Sequence, residues 1–346
     1  MTQRTSQRYN PGGIVLAAAE KYPERVLLRL PQSRILYAEM RNLVITFALH
    51  LRKHGVGRGT LVAIDCKYPS AAAASVLAIG LLGARWASAT RSVLGNPELG
   101  VGLLIHDGST AYPQRDRVVK FDRSWSEPPK DFDNRQIDFE GYASENDPWV
   151  LAQSSGTTGE PKAMELSYRT IVERARSFDI SESLGNERIV LGISTQPMAL
   201  GSIMPIVRVA QDGGTLVHSS DYDFLRGAGV NILGGTPIQH VNRVRLANKP
   251  PPEGRIAHAR VGGAKASKRL LETLADYYAN VTIAYGSIEA GVICSRSISS
   301  DGEAFDDLGP AIDGTRVEIV DADNKVMRRA RRESSACKAR SWRAAI

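Results

Sequence analysis

Cysteine is scarce in this sequence of 346 residues, which contains only Cys66, Cys294 and Cys337. Their odd number and irregular spacing exclude a disulfide framework and argue against a cysteine-rich zinc module. Few, unpatterned thiols are typical of proteins that fold in a reducing compartment. We therefore expect this protein in the cytoplasm.

Long apolar runs are also missing. Residues 1–10 are polar and lack the apolar core of a signal peptide. The richest apolar run, residues 71–84, is shorter than the roughly 20 residues that a membrane-spanning helix needs. We expect no membrane span.

Positive charge is in excess, with a formal net charge of +7, but it is concentrated at one end of the chain. Residues 328–346 contain seven arginine or lysine residues and a single acid, Glu333, so the preceding residues sum almost to neutrality. A nucleic-acid-binding face spreads its cations along periodic elements, whereas this excess is a terminal run. We expect no nucleic-acid partner and a disordered basic tail. A tail that docks on an acidic partner is the alternative.

Strand-like and helix-like segments alternate along the chain. Apolar residues recur at helical spacing between Leu43 and Leu51, and Gly55 ends this helix. Further helices are predicted at 71–82 and 267–278, and short strands at 61–64, 85–89, 149–152, 189–193, 215–217, 231–233, 281–284 and 316–320. This order is typical of parallel sheets covered by helices, so the predicted fold class is α/β.

The nine residues from Ser154 to Lys162 combine hydroxyl side chains, two glycines, a proline and a terminal lysine. The glycines let backbone N–H groups approach an anion, the hydroxyls add donors, and Lys162 supplies a compact positive charge. The pattern predicts a phosphate-binding loop. It is not the Walker loop, because Gly156 and Gly159 are two residues apart and Pro161 precedes the lysine. A flexible linker that happens to contain a lysine is the alternative.

This segment, Ser-Ser-Gly-Thr-Thr-Gly-Glu-Pro-Lys, resembles the phosphate loop of the adenylate-forming (AMP-binding) superfamily, which includes acyl-CoA synthetases and the adenylation domains of peptide synthetases. The resemblance implies that the loop binds ATP and that Lys162 acts in catalysis. The implied nucleotide-binding residues of the loop are Ser154, Ser155, Gly156, Thr157, Thr158, Gly159 and Lys162.

The same resemblance implies an arrangement of domains. We expect two layered α/β/α subdomains with mostly parallel sheets, followed by the start of a small β-barrel. The expected bounds are 1–305 for the AMP-binding N-terminal domain, with subdomains at about 10–185 and 186–305, then 306–327 for the barrel segment and 328–346 for the tail.

A second motif, residues 284–289, follows a predicted strand and resembles the family's Tyr-Gly-x-Thr-Glu pattern. The resemblance implies that the aromatic ring packs on adenine and that Glu289 holds Mg²⁺ and acts in catalysis. The implied nucleotide-binding residues are Tyr285, Gly286 and Ser287. Ile288 occupies the threonine position and has no hydroxyl to donate. Considered alone, a tyrosine and a glutamate at a strand end are more often structural.

Further segments match the family in the expected order. Val261 to Ala264 resembles a Gly-Gly-Ala turn, which implies that Gly263 and Ala264 lie along the purine; a turn that merely leads into a helix is the alternative. Residues 233–237 fit the segment that walls the acyl pocket, and residues 308–321 fit a Gly-x-Pro…Val-x-Ile-Val-Asp stretch. Residues 198 and 199 are methionine and alanine where many acyl-CoA synthetases carry an aromatic residue and a histidine, which puts the usual acyl substrate in doubt.

The implied reaction joins a carboxylic acid and ATP to give an acyl-adenylate, which then passes to a thiol of coenzyme A or a carrier protein. Beyond residue 326 the sequence stops resembling the family, and the Tyr-x-Thr-Gly-Asp segment and the small C-terminal domain are not found. We expect a chain truncated by a frameshift near residue 327, with impaired activity. A catalytically inactive nucleotide-binding remnant is the alternative.

Overall fold

The computed structural model describes residues 8–113, 117–129, 144–154, 162–176, 184, 187–247, 250, 254–298, 308–312, 314–319, 325–326 and 342–345. Two compact units are present. The first consists of Met1–Leu233 and Arg245–Asn248, and the second of Gly234–Val244 and Lys249–Ile346. The subdomain boundary expected between residues 185 and 186 lies within the first unit.

The helices and strands are given in chain order. The helices are α1 (Pro11–Lys21), α2 (Tyr37–Lys53), α3 (Pro69–Leu81), α4 (Arg91–Leu94), α5 (Tyr168–Arg176), α6 (Leu200–Gln211), α7 (Tyr222–Gly227), α8 (Pro237–Leu246) and α9 (Lys268–Tyr277). The strands are β1 (Val26–Leu30), β2 (Ser33–Leu36), β3 (Leu61–Asp65), β4 (Arg85–Ser88), β5 (Val101–His106), β6 (Val118–Lys120), β7 (Pro148–Ser154), β8 (Lys162–Ser167), β9 (Val190–Ile193), β10 (Thr215–His218), β11 (Ile232–Gly235), β12 (Ile256–Gly262), β13 (Tyr278–Ser287), β14 (Gly291–Ile298), β15 (Arg316–Ile319) and β16 (Trp342–Ala345). Short 3₁₀ helices lie at Pro97–Leu99 and Arg123–Ser126.

A six-stranded sheet of the first unit has the order β6-β5-β3-β4-β7-β8. Its pairs are parallel except for β7 with β8, which form an antiparallel hairpin at one edge. Helix α3 connects β3 to β4, and all its residues from Ala72 to Leu81 are buried. Gly12 of α1 allows α1 and α3 to approach closely, since a Cβ on this residue would lie 2.5 Å from the Leu77 carbonyl oxygen of α3.

A second sheet region of the first unit has the order β11-β9-β10-β1-β2. Strands β1 and β2 come from the N-terminal part of the chain, and β1 pairs in parallel with β10. Helix α2 follows them with an apolar stripe of buried Met40, Val44 and Leu51. The first residue of that helix, Tyr37, is buried and donates its hydroxyl to the Gly214 carbonyl at 2.8 Å.

In the second unit, β12 pairs in parallel with β13, and β13 pairs antiparallel with β14. Helix α9 begins after Ser267, whose hydroxyl accepts a hydrogen bond from the Leu270 amide at 3.2 Å. Strand β13 runs from Tyr278 to Ser287, so it is much longer than the predicted strand at 281–284. Cross-strand pairing with β14 continues past the segment where the sequence suggested an end.

The predicted fold class is confirmed, because mostly parallel sheets are flanked by helices. Strand β15 lies within the segment expected to begin a barrel and pairs antiparallel with β16, and no closed barrel is formed by the described residues. Strand β16 differs from the expectation of disorder throughout 328–346; its edge-to-edge pairing satisfies backbone groups of β15. No helix of the described residues is both long and apolar enough to cross a membrane.

Candidate functional site

The predicted phosphate loop joins the two strands of the β7–β8 hairpin. Ser154 ends β7 and Lys162 begins β8, and the two are Cα partners across the antiparallel pair. The intervening Ser155, Gly156, Thr157, Thr158 and Gly159 lie outside the described residues, so their contacts stay a prediction. The hairpin brings the loop's first and last predicted residues side by side.

A hydroxyl–amide cluster, which sequence reasoning missed, lies next to this loop. Thr90 and Ser92 follow β4 and donate to Gln153 Oε1 at 2.9 and 3.0 Å. The Thr90 hydroxyl also accepts from the Val93 amide and thereby caps α4. Because β4 and β7 are parallel, their carboxyl ends meet at the edge of the sheet where α/β proteins bind ligands. No spacing rule connects residue 90 to residue 153, so only the β4–β7 pairing could reveal this cluster.

We predict that this cluster positions the start of the loop. Gln153→Leu removes the acceptor of both hydroxyls and should weaken MgATP binding about threefold to tenfold. In a double-mutant cycle with Thr90→Val, the two changes should be non-additive by about 1 kcal/mol, because each removes the same hydrogen bond. Isothermal titration of MgATP measures both quantities. Additive losses, or a Gln153→Leu variant that binds MgATP as tightly as the parent, would contradict a positioning role.

In the second unit, the parallel pairing of β12 and β13 brings two predicted motifs together. Gly262 and Ala284 are Cα partners, so Gly263 and Ala264 leave the sheet at the same end as Tyr285. Gly263 has a φ of +81°, which a residue with a side chain adopts only with strain. The structure corrects one detail: residues 284–287 of this motif form the end of β13 instead of following the strand.

The end of β13 has no space for a side chain at Gly286. A Cβ there would overlap the Gly291 carbonyl oxygen, because the β13–β14 pairing is irregular between Tyr285 and Gly286. Tyr285 is half-buried, whereas Gly286 and Ser287 are exposed. The Ser287 hydroxyl accepts a hydrogen bond from the Ala290 amide at 3.1 Å, which closes the turn after the strand.

That turn carries both Ile288, which is half-buried, and Glu289, which is exposed. No group of three potential metal-ligating side chains occurs among the described residues. A single carboxylate is nevertheless a sufficient protein ligand for Mg²⁺ when nucleotide phosphates and water complete the octahedron. Glu289 therefore fits the predicted role as the protein ligand of a nucleotide-bound Mg²⁺.

A buried polar cluster of the second unit surrounds the segment that was expected to wall the acyl pocket. Arg243 is fully buried and donates from its Nη2 to the Gly234 carbonyl at 3.1 Å. His240 is also fully buried; its Nε2 lies 3.2 Å from the Arg260 carbonyl oxygen and its ring contacts Tyr278 edge-on. Burial, and then the charge of Arg243, lower the pKa of His240 to about 3. The histidine is therefore neutral at pH 7, and it donates from Nε2 to the carbonyl.

This burial predicts a pH dependence of stability. The unfolded chain protonates His240 near the ordinary histidine pKa of 6.5, whereas the folded chain resists protonation down to about 3. The free energy of unfolding therefore falls as pH drops through this window. Between about pH 6 and pH 5, the parent should lose about 1 kcal/mol more than His240→Gln. Urea unfolding at several pH values measures the difference, and parallel curves for the two proteins would show that His240 does not titrate in this way.

The segment before α6 is held by hydrogen bonds within the first unit. Ser88 donates to the Met198 carbonyl at 2.9 Å, and His218 Nε2 lies 2.7 Å from the Thr195 carbonyl oxygen. Met198 itself is buried. Methionine thus fills this position as a packed apolar residue, where the family often has other side chains.

Several known proteins are similar in sequence to this chain. The family described as AMP-binding enzyme matches residues 101–332. A 4-coumarate–CoA ligase-like protein from Oryza sativa subsp. japonica is 27% identical over 194 residues, which are 52% of this chain and 35% of that protein. A dimodular nonribosomal peptide synthase from Bacillus subtilis is 23% identical over 184 residues, which are 50% of this chain and 8% of that protein. The chain thus spans 35% or less of the length of these relatives.

Solved structures share the fold. The N-terminal subdomain of NpsA from Klebsiella oxytoca, in complex with 3-hydroxybenzoyl-AMSN, has a TM-score of 0.74 at 18% identity, covering 92% of this chain and 84% of that one. O-succinylbenzoate coenzyme A synthetase from Bacillus subtilis, in complex with AMP, has a TM-score of 0.75 at 20% identity, covering 91% of this chain and 67% of that one. At these identities, the likeness establishes the fold.

Proposed function

Because the chain belongs to the AMP-binding enzyme family, we propose that it uses ATP to activate a carboxylic acid as an acyl-adenylate and passes the acyl group to a thiol. The observation that carries this proposal is the family match over residues 101–332, which includes every predicted nucleotide-binding segment. Coenzyme A is the proposed acceptor, and a carrier-protein thiol is the alternative, since the relatives are a CoA ligase-like protein and a peptide synthase. The proposed compartment is the cytoplasm, on the strength of the cysteine content.

In this proposal, the nucleotide's phosphates are bound by the 154–162 hairpin loop. Glycine N–H groups and the hydroxyls of Thr157 and Thr158 supply donors, and Lys162 supplies charge. The hairpin supports the assignment, because it ties both ends of the loop into a sheet and so limits the entropy that anion binding must overcome. The cluster of Thr90, Ser92 and Gln153 orients the strand that enters the loop.

The proposed adenine-binding residues lie at the carboxyl ends of β12 and β13. Gly263 and Ala264 expose backbone against which a planar purine can lie, and the Tyr285 ring offers a stacking face. Glu289 is the proposed protein ligand of Mg²⁺.

The chemistry needs no general base. A carboxylic acid with a pKa of about 4 is already ionised at pH 7. The difficulty is the repulsion between this anion and the phosphates, so catalysis depends on neutralising and aligning charge. ATP with Mg²⁺ supplies the leaving group and part of that neutralisation. Lys162 supplies a fixed positive charge, and the loop donors orient the phosphates.

Acid-dependent exchange of labelled pyrophosphate into ATP tests the proposal. The chain is incubated with MgATP, labelled pyrophosphate and one acid at a time from a panel of aryl, acyl and amino acids. At least one acid should raise exchange well above the acid-free rate. A chain that binds MgATP but shows no acid-dependent exchange with any member would favour the second candidate below.

The second candidate function is nucleotide binding without adenylation. The residue that favours it is Ile288, since an apolar side chain occupies the turn beside Glu289 where the family pattern has a hydroxyl. An isoleucine offers no hydrogen bond to a phosphate, so it cannot replace the water that a charged ligand loses on binding. Equilibrium binding of MgATP together with absent exchange is the result that this candidate predicts.

The same residue gives a direct prediction. Ile288→Thr restores a hydroxyl in the turn and should raise pyrophosphate exchange or MgATP affinity by about tenfold, near the lower limit for one charge-assisted hydrogen bond. The matched control is Ile288→Val, which keeps the β-branch without the hydroxyl and should have no such effect. If the threonine and valine variants behave alike, Ile288 does not face the phosphates.

A further inference from the structure

A cleft of about 650 Å³ opens in the first unit among α1, the end of α5 and α6. This volume lies within the range of small-molecule sites in proteins. Ile14, Ala17 and Ala18 of α1 form its apolar side. None of the residues predicted to bind nucleotide lines it, so the cleft is separate from the motifs that carry the proposed function.

The polar side of the cleft is mainly cationic. Four cations and one carboxylate line it: Arg8, Lys21, Arg176, Arg208 and Asp212. Asp212 forms an ion pair with Arg208, which is the one buried member of the set. Arg176 pairs with Glu173 at 2.8 Å, but both side chains are partly exposed, so this pair neutralises the cleft only weakly. The lining groups thus leave a surplus of positive charge in a part of the chain whose overall charge is close to neutral.

Cations also gather around one buried aromatic ring beside the cleft. The guanidinium carbons of Arg8, Arg169 and Arg176 lie 5.6, 5.5 and 5.8 Å from the Tyr9 ring centroid. Arg169 pairs with Glu145 at 2.7 Å. Cation–π attraction offsets part of the repulsion among like charges so close together. An anion bound between them would offset more of it.

We propose that this cleft binds a small organic anion with an apolar body, of the aryl or medium-chain carboxylate or sulfonate class. The acid group would pair with Arg8 and Arg176, which line the cleft and meet at the Tyr9 ring, and the apolar body would cover Ile14 and Ala17. Arginine suits such an acid group because its planar fork matches a carboxylate in a bidentate way. The proposal stands independently of the proposed adenylation.

Fluorescence titration with 8-anilinonaphthalene-1-sulfonate, an amphipathic anion of this class, tests the site on the full chain. The charge-reversal pair Arg8→Glu and Arg176→Glu should weaken the dye's affinity at least about tenfold. The matched control pair, Arg34→Glu and Lys67→Glu, changes the net charge equally at exposed positions outside the cleft and should change the affinity less than about twofold. If the reversed pair unfolds, Arg8→Gln with Arg176→Gln replaces it and should give a smaller loss in the same direction.

Competition distinguishes the ligand class. Octanoate should displace the dye, whereas octanol and inorganic phosphate should displace it far less well. Lys162→Ala should bind the dye as the parent does. The experiment therefore tests the cleft separately from the proposed phosphate loop. Equal losses in the cleft and control variants, octanol competing as well as octanoate, or no dye binding by the parent would each overturn the proposal.

Discussion

Lys162→Ala is expected to weaken MgATP binding or turnover by at least about tenfold, equivalent to ~1.4 kcal/mol. The lysine ends the predicted phosphate loop and carries its one fixed positive charge. Its removal leaves the phosphates with uncharged donors alone, and a charge-assisted contact is about twice as strong as a neutral one. Isothermal titration with MgATP and acid-dependent pyrophosphate exchange measure the two effects.

The backbone of residue 162 makes this variant a clean test. Lys162 pairs with Ser154 at the start of β8, and an alanine can keep that pairing, so the fold should be unchanged. Lys67→Ala, which removes an exposed lysine elsewhere in the first unit, is the control and should bind MgATP like the parent. If Lys162→Ala is folded and both measurements equal those of the parent, the loop is not the phosphate site.

Gly286→Ala is expected to lower the free energy of unfolding by about 3 kcal/mol and to abolish most nucleotide binding. The added Cβ would overlap the Gly291 carbonyl, so either the β13–β14 pairing opens or the strand end shifts. Either change displaces Tyr285, the proposed stacking partner of adenine. Urea unfolding followed by circular dichroism gives the stability, and MgATP titration gives the binding.

The control for this prediction is Gly57→Ala. Gly57 has open space around the position of a Cβ and no positive φ, so alanine there should change stability by less than about 1 kcal/mol. Equal stability of the two alanine variants would mean that the hairpin relaxes without cost. In that case the irregular pairing at Gly286 would not constrain the position of Tyr285.

Local sequence patterns predict a helix or strand correctly where the residues of that element alone determine its structure. The helical spacing from Leu43 to Leu51 lies within α2, and the apolar run at 71–82 matches α3 closely. The strand predicted at 149–152 is the centre of β7. Burial of one stripe leaves a periodic pattern of apolar residues in the sequence, and burial of a whole segment leaves a continuous apolar run. These elements show one or the other.

Local patterns failed where a neighbouring strand decided the outcome. The sequence predicts a strand that ends at residue 284, yet β13 continues to Ser287 because β14 pairs with it there. Strands β1 and β2 were not identified, since β1 finds its partner in β10, almost 190 residues later. The alternation of short segments cannot indicate such a distant partner.

The sequence by itself determined the α/β class and the family, because glycine, hydroxyl and lysine spacing and buried periodicity are local properties. Only the tertiary structure decided which distant polar groups meet. It brought Thr90 and Ser92 to Gln153, buried His240 against Arg260, and gathered three arginines around Tyr9. These contacts depend on which strands and helices become neighbours, and that choice is made by burial of apolar faces over the whole chain.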